Sequence, residues 1–332
     1  MKLTKPAYFD TFRCIASACP DSCCKEWDVL IDPDKAEFYR SIPGPLGERL
    51  RQVLREEDGD TYMTIEEGRC PMWRADGLCR IQAELGESTL CKTCREFPRL
   101  THDYGDFIER GLELSCPEAA RIILEAPSAP MILEEIASDV SAEYDEEAMA
   151  VLKQTRQTAL ELIEDPAFSV RQMLALLLLY GYQAQSELDG EDVRLFDTQA
   201  AMQTIQEFAR PGSQQLMLDF FMDLEILTPQ WEDRLKNPGH PHFPENTRNL
   251  SRYFVERYWL QAVSDYDLAC RVKFIIISCI MICSLGGSFT ETAQLYSKEI
   301  ENSWENVEAL LDGAYENPAF TDDKLLGILC KS

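Results

Sequence analysis

The chain has 332 residues, 45% of them apolar, and 32 Lys and Arg stand against 58 Asp and Glu for a net charge of −26. That length and apolar content support one large or two smaller globular units and exclude a chiefly disordered chain. The acidity repels phosphate backbones and argues against nucleic acid as a partner. It suits a basic, lysine-bearing partner, or solubility alone.

The start, MKLTKPAYFDTFRC, has no apolar segment of signal-peptide length before its first thiol. The longest apolar run, FIIISCIMICSL (274–285), is too short to span a bilayer and reads as a fully buried helix. The expectation is a cytoplasmic protein without a membrane span, its thiols reduced. WDVLI (27–31) reads as a short strand. DPDKAEFYRSI begins a helix with Asp32 as N-cap and Pro33 in its first turn. PLGERLRQVLREE follows as an amphipathic helix, DTYMTI (60–65) as a strand, and LCRIQAELG as a short helix closed by Gly86. RLTHDYGDFIERGLELSC predicts a strand pair about Tyr104–Gly105. CPEAARIILEA starts a helix, with Pro117 in its first turn and Glu118 at the positive end of its dipole.

LEAPSAPMI (124–132) marks a boundary, predicting a cysteine-rich module over 1–125 and a helical domain over 126–332. Of the charged residues, 1–125 hold 17 basic and 24 acidic, and 126–332 hold 15 and 34. Helices are predicted over 131–164, 168–187, 192–209, 213–227, 245–263, 266–285, 289–312 and 321–330. RQMLALLLLYGYQAQSEL is apolar nearly all round and belongs at the centre of a bundle. DRLKNPGHPHFPENT (233–247) reads as a long loop. The fold class is mainly α: an irregular cysteine-rich α+β metal-binding N-terminal module with short strands, followed by an α-helical bundle.

Nine of thirteen cysteines lie in the first part: Cys14, Cys19, Cys23, Cys24, Cys70, Cys79, Cys91, Cys94 and Cys116. Cys270, Cys279, Cys283 and Cys330 read as buried small residues. An odd count in a chain large enough to build a core argues against a disulfide framework for the nine. Their turn-rich surroundings (CPDSCC, GRCPMW, LCKTCREFP) argue against simple burial. Cys91-x2-Cys94 has chelating spacing, Cys14-x4-Cys19-x3-Cys23 wraps another side of a centre, and Cys70 and Cys79 close it. Thiolates favour zinc or iron–sulfur clusters, and only three histidines, His102, His240 and His242, are present to share the ligation. Successive side chains in extended backbone point opposite ways, so Cys23 and Cys24 are expected to face different surroundings. Either one ligates and the other packs, or two centres exist. Radical-adenosylmethionine, dinucleotide-binding, phosphate-loop, hydrolase-elbow and HExxH motifs are absent.

The ordered string C…C…CCKEWDVLID, GRCPMWRADGLCRIQAELGESTLCKTCREFPR and ELSCPEAAR resembles the flagellin lysine N-methylase family over roughly residues 8–125. Met72-Trp73 stands after GRCP, where Phe-Leu is more usual in that family. The resemblance implies a bacterial S-adenosylmethionine-dependent protein-lysine N-methyltransferase acting on accessible lysines, flagellin's among them. It further implies an iron–sulfur cluster, [4Fe-4S], on a subset of the nine cysteines, with zinc as the alternative. Two other readings remain at this point: an iron–sulfur redox protein without methyl transfer, and a zinc-stapled helical adaptor.

Under the methyltransferase reading a neutral amine attacks a sulfonium methyl, and the site must help remove the ammonium proton. Asp103, Tyr104, Asp106, Glu26 and Asp28 are candidates for that base, each equally readable as a turn residue. Trp27 and Trp73 could bind the cofactor's sulfonium as cation–π faces, or shield the metal. Arg95 and Arg99 could offset cluster charge or make ordinary surface pairs. The donor site is expected between the cysteine module and the bundle.

Overall fold

A computed structural model describes residues 2–25, 29–126, 131–135 and 144–330. Among these, seven short strands fall into two sheets: β1 (Lys2–Pro6), β2 (Val29–Ile31), β3 (Leu54–Glu57), β4 (Asp60–Met63), β5 (Arg99–Asp103), β6 (Phe107–Leu112) and β7 (Met131–Glu135). Fifteen α-helices among the described residues make the protein mainly α. Five lie in the first part: α1 (Pro33–Ser41), α2 (Gly44–Val53), α3 (Arg80–Leu85), α4 (Lys92–Glu96) and α5 (Pro117–Glu125). The others are α6 (Glu146–Glu164), α7 (Val170–Leu188), α8 (Thr198–Phe208), α9 (Gln214–Met222), α10 (Pro229–Lys236), α11 (Thr247–Tyr258), α12 (Leu268–Ser284), α13 (Phe289–Tyr296), α14 (Trp304–Glu316) and α15 (Asp322–Cys330).

The larger sheet has the order β5-β6-β1-β7. Its β5–β6 hairpin turns at Tyr104–Gly105, as the sequence predicts, and sets His102 opposite Glu109. β1 runs parallel to β6, and β7 runs antiparallel to β1 with Thr4 opposite Leu133. The smaller sheet is antiparallel, in the order β2-β4-β3.

Two hydrophobic clusters hold these elements. The smaller is built from β2, β4, α1 and α2 around Tyr39, Leu50 and Met72, and it includes Cys70 and Cys91, with Cys24 and Cys79 packed against it. The larger joins Phe9, Phe12, Phe107 and Leu112 from the front of the chain to the helical core. Helix α12 is its axis: from Leu268 to Ser284 every side chain except Arg271 is buried, as its unbroken apolar run foretold. Helix α7 lies beside it, capped by a Ser169–Gln172 capping box. Among the described residues no helix is long and apolar enough to cross a membrane.

Several sequence expectations are corrected. The helix expected from 131 begins as β7, because Met131–Glu135 pairs with the open edge of β1; α6 starts only at Glu146, where the Asp145 side chain accepts from the N–H groups of Glu147 and Ala148. The helix expected from 192 starts at Thr198 behind an Asp197 cap. The helix expected to run to 227 stops at Met222. The front of the expected loop 233–247 belongs to α10, which starts at Thr228-Pro229, with the Thr228 side chain accepting from Trp231 N–H. The run 289–312 breaks, and α14 restarts where the Ser303 hydroxyl accepts from Asn306 N–H. Asp32 occupies the cap position of α1 but makes no cap bond. Its carboxylate instead accepts from Lys92 N–H at 2.6 Å, tying α1 to the Cys91–Cys94 turn.

Candidate metal centre and the adjoining polar cavity

The cysteine loops are built by short backbone bonds. Cys70 N–H donates to the Cys24 carbonyl at 2.7 Å, and Arg80 N–H to the Met72 carbonyl at 2.7 Å. Lys25 pairs with Arg69 and Trp73 with Cys79 in isolated antiparallel bridges. The loop over 14–25 is pinned from behind by Asp21. Its carboxylate meets Lys25 at 2.6 Å and Lys298 at 3.2 Å, and it accepts from Gln294 Nε2 at 3.2 Å. The same Gln294 nitrogen donates to the Ser115 carbonyl at 2.8 Å, beside Cys116. Burial pushes the Asp21 carboxyl up, but Lys25 and Lys298 outweigh it and hold the group below its ordinary range.

Cys79, Cys91 and Cys116 are the residues that open helices α3, α4 and α5. That position aims helix N–H groups at sulfur. Gln82 and Ile81 donate to Cys79, Cys94 N–H to Cys91, and Ala119 and Glu118 to Cys116. Met72 N–H likewise donates to Cys70, Asp21 N–H to Cys19, and Ala16 N–H to Cys14 at 3.4 Å. Such donors favour the thiolate, the form that ligates metal. Burial opposes them, lifting Cys70 to about 12 and Cys116 to about 11. A bound cation is the ordinary remedy for thiolates held in an apolar surround.

The nine thiols fall into two sets that act on one another electrostatically. Cys24, Cys70, Cys79, Cys91 and Cys94 form one; Cys14, Cys19, Cys23 and Cys116 form the other. They meet at the adjacent pair. The backbone bends at 23–24, so these side chains do not point apart as extended backbone would require. The Cys23 thiol donates to Cys24 sulfur, which raises Cys23 and lowers Cys24 to about 7. Cys94 donates in the same way to Cys91, raising the first and lowering the second. None of the thirteen cysteines is joined in a disulfide. Among the described residues, no three His, Cys, Asp or Glu side chains already stand together as a metal-holding group.

Trp27, Glu26 and Asp28 lie outside the described residues. Trp73 is half-buried with the Arg69 guanidinium 4.0 Å from its ring centroid. Asp103 accepts from Gly105 N–H at 2.9 Å, Tyr104 stacks on Phe107, and Asp106 accepts from the Tyr144 hydroxyl at 2.6 Å. Those contacts are what the hairpin turn and its neighbours use to hold their shape. Arg95 pairs with Glu96, and Arg99 lies over the Phe12 ring. Cys270, Cys279 and Cys283 are buried, whereas Cys330 is exposed and so departs from the expected burial.

Sequence reasoning missed a second polar feature, where the β5–β6 hairpin meets α11. Arg156 makes a bidentate pair with Glu109, both bonds 2.7 Å. Arg252 pairs with Glu164. Glu301, its side chain shielded from solvent, accepts from Tyr258 at 2.8 Å and Tyr253 at 3.0 Å, and meets Arg257 at 3.2 Å. A cavity of about 30 Å³ opens among them, lined in part by Tyr8, His102, Glu109, Tyr253, Glu256 and Arg257. The available signal was RYFVERY (252–258), which places three charges inside an otherwise aromatic and apolar helical stretch.

The Salmonella muenchen protein named flagellar biosynthetic protein FliU is 34% identical over 134 residues, which span 38% of this chain and 79% of that protein. The chain belongs to the flagellin lysine N-methylase family. Within this family, proteins named lysine-N-methylase from Salmonella typhimurium and Salmonella choleraesuis are each 33% identical over 139 residues, 40% of this chain. The match spans only about a third of their length, 35% in each. No family model matches the chain, and no solved structure matches it.

Proposed function

We propose that the protein is a protein-lysine N-methyltransferase that carries methyl groups from S-adenosylmethionine to lysines of a protein substrate, flagellin being the first to test. The observation that carries this reading is the likeness to proteins named lysine-N-methylase and FliU, coupled to the nine front cysteines. Within the same proposal, residues 1–125 act as the cysteine module and 126–332 as the helical domain.

A [4Fe-4S] cluster, with zinc as the alternative, would be held by cysteines from the set Cys24, Cys70, Cys79, Cys91 and Cys94. Cys24, Cys70, Cys79 and Cys91 share one hydrophobic cluster or its margin, Cys94 lies one turn from Cys91, and backbone N–H groups point at three of the five. Soft thiolate donors in a partly dry surround suit either group. When bound, it would order the surrounding loops and offer an electrophilic metal to a polar ligand. The chain's own part is to hold the lysine, remove its proton and exclude water. An amine with an ordinary pKa of about 10.4 is mostly protonated at neutral pH and cannot attack until a base takes the proton. The net charge of −26 draws a lysine-bearing surface towards the protein.

The test incubates oxygen-free protein with S-adenosylmethionine and purified flagellin, then maps lysine methylation by mass spectrometry. Methylated lysines that disappear when Cys70 and Cys91 are both replaced by Ser support the reading. Flagellin unmodified by fully metallated protein overturns it.

A further inference from the structure

We infer that the cavity between the β5–β6 hairpin and α11 seats the terminal ammonium of a lysine side chain, with Glu256 as the carboxylate that receives its proton. The inference rests on the methyl-transfer reading and assigns that reaction its base.

Size selects the occupant. One water needs about 10–15 Å³ by this measure, so a cavity of about 30 Å³ admits an ammonium and its last methylene. It excludes a nucleoside, so the bulk of the methyl donor stays outside. Charge selects it too. Arg156, Arg252 and Arg257 are each matched by a carboxylate, Glu109, Glu164 and Glu301 respectively. Glu256 is the cavity carboxylate to which, among the described residues, no hydrogen bond or ion pair falls. Arg110 also lines the cavity, its Nε buried without a hydrogen-bond partner. Glu256 lies in the field of Arg156 and Arg252 but forms no ion pair with either, and an entering cation supplies the contact it lacks. The rings of Tyr8 and Tyr253 line the same space and suit an ammonium. His102 also lines it, and its Nε2 is buried without a partner.

The groups around Glu256 set its basicity. Burial raises its carboxyl to about 7, Arg156 and Arg252 pull it down, and Glu109 and Glu164 push it up. Burial, chiefly, and the nearby Arg257 lower His102, which is therefore neutral at pH 7. In the step, the ammonium gives one proton to Glu256. The freed nitrogen lone pair attacks the methyl carbon of the sulfonium donor. The carbon–sulfur bond breaks, its electron pair stays on sulfur as a thioether, and Glu256 later returns its proton to water. Because only ionised Glu256 can act, the rate rises with pH through about 7.

The experiment compares wild type with Glu256→Gln and Glu256→Asp, reading kcat/KM for flagellin methylation against pH and the shift in Tm caused by n-butylammonium chloride. The expected result is a loss of at least about 100-fold in Glu256→Gln with the acid limb gone, partial activity in Glu256→Asp, and a Tm rise in wild type beyond that from sodium chloride. If wild type methylates flagellin and Glu256→Gln matches it, or if n-butylammonium leaves wild-type Tm where sodium chloride does, the assignment is overturned while methyl transfer stands. If n-butylammonium stabilises wild type and not Glu256→Gln, yet no methyl is transferred, the ammonium seat stands and the methyltransferase reading falls. Should Glu256→Gln not fold, Glu256→Asp and the wild-type Tm shift decide.

Discussion

Asp21 shows how one side chain couples the cysteine loop to the helices. Its carboxylate is mostly shielded and touches Lys25, Lys298 and Gln294, the last of which also holds the carbonyl next to Cys116. Replacing it with Asn keeps the shape and removes the charge. The expected cost at pH 7 is about 1–3 kcal/mol, measured by urea unfolding. The folded carboxyl is held below its ordinary range, so its contribution is complete above the unfolded value of about 4 and fades as pH falls through the folded one. The gap between wild type and Asp21→Asn therefore closes in acid, and a gap that widens there would contradict the assignment. Nothing local in the chain signals this residue's role, because Gln294 and Lys298 lie more than 270 positions away. The front cysteines, by contrast, stand out in the sequence by their local spacing, but their division into two groups that meet at Cys23 and Cys24 does not, because residues from distant turns come together in each.

Among the elements, α12 and α7 were the most legible, because an apolar surface on all sides leaves a helix nowhere to go but the interior. Their contact rests on Gly181, where an added Cβ would come within 2.5 Å of Val272 Cγ1. In a helix interior, exchanging Gly for Ala ordinarily helps by about 1 kcal/mol. Here the overlap should win, and Gly181→Ala is expected to lower stability by about 1–3 kcal/mol in chemical denaturation; a more stable variant would show that the helices separate freely. β7 was misread because MILEE is rich in helix formers, and only pairing with β1 makes it a strand. The break between α13 and α14 was hidden for a similar reason. Buried Asn306 accepts from Glu225 N–H and donates to the carbonyls of Glu225 and Glu299, a tertiary cluster that no helical periodicity reports.

At the scale of the molecule, two cores divide the work. The smaller holds the sulfurs of Cys70 and Cys91 against Tyr39 and Met72. The larger fuses the β5–β6 hairpin to the helices and encloses the polar groups of α11. Cys116 touches both regions of interest: it belongs to the second thiol set, and its N–H bonds to the carbonyl of Glu113, whose buried carboxyl faces Arg257 and Glu301. This continuity was invisible in the sequence, where no motif pointed to α11 as the helix that lines the polar cavity. The account depends most on the front cysteines gathering a soft metal. Iron, zinc and acid-labile sulfide should be quantified in protein purified without oxygen. About four iron and four sulfide per chain, lost together when Cys70, Cys79, Cys91 and Cys94 are replaced by Ser, is the expected result. A fully folded, fully reduced protein with neither iron nor zinc would contradict it.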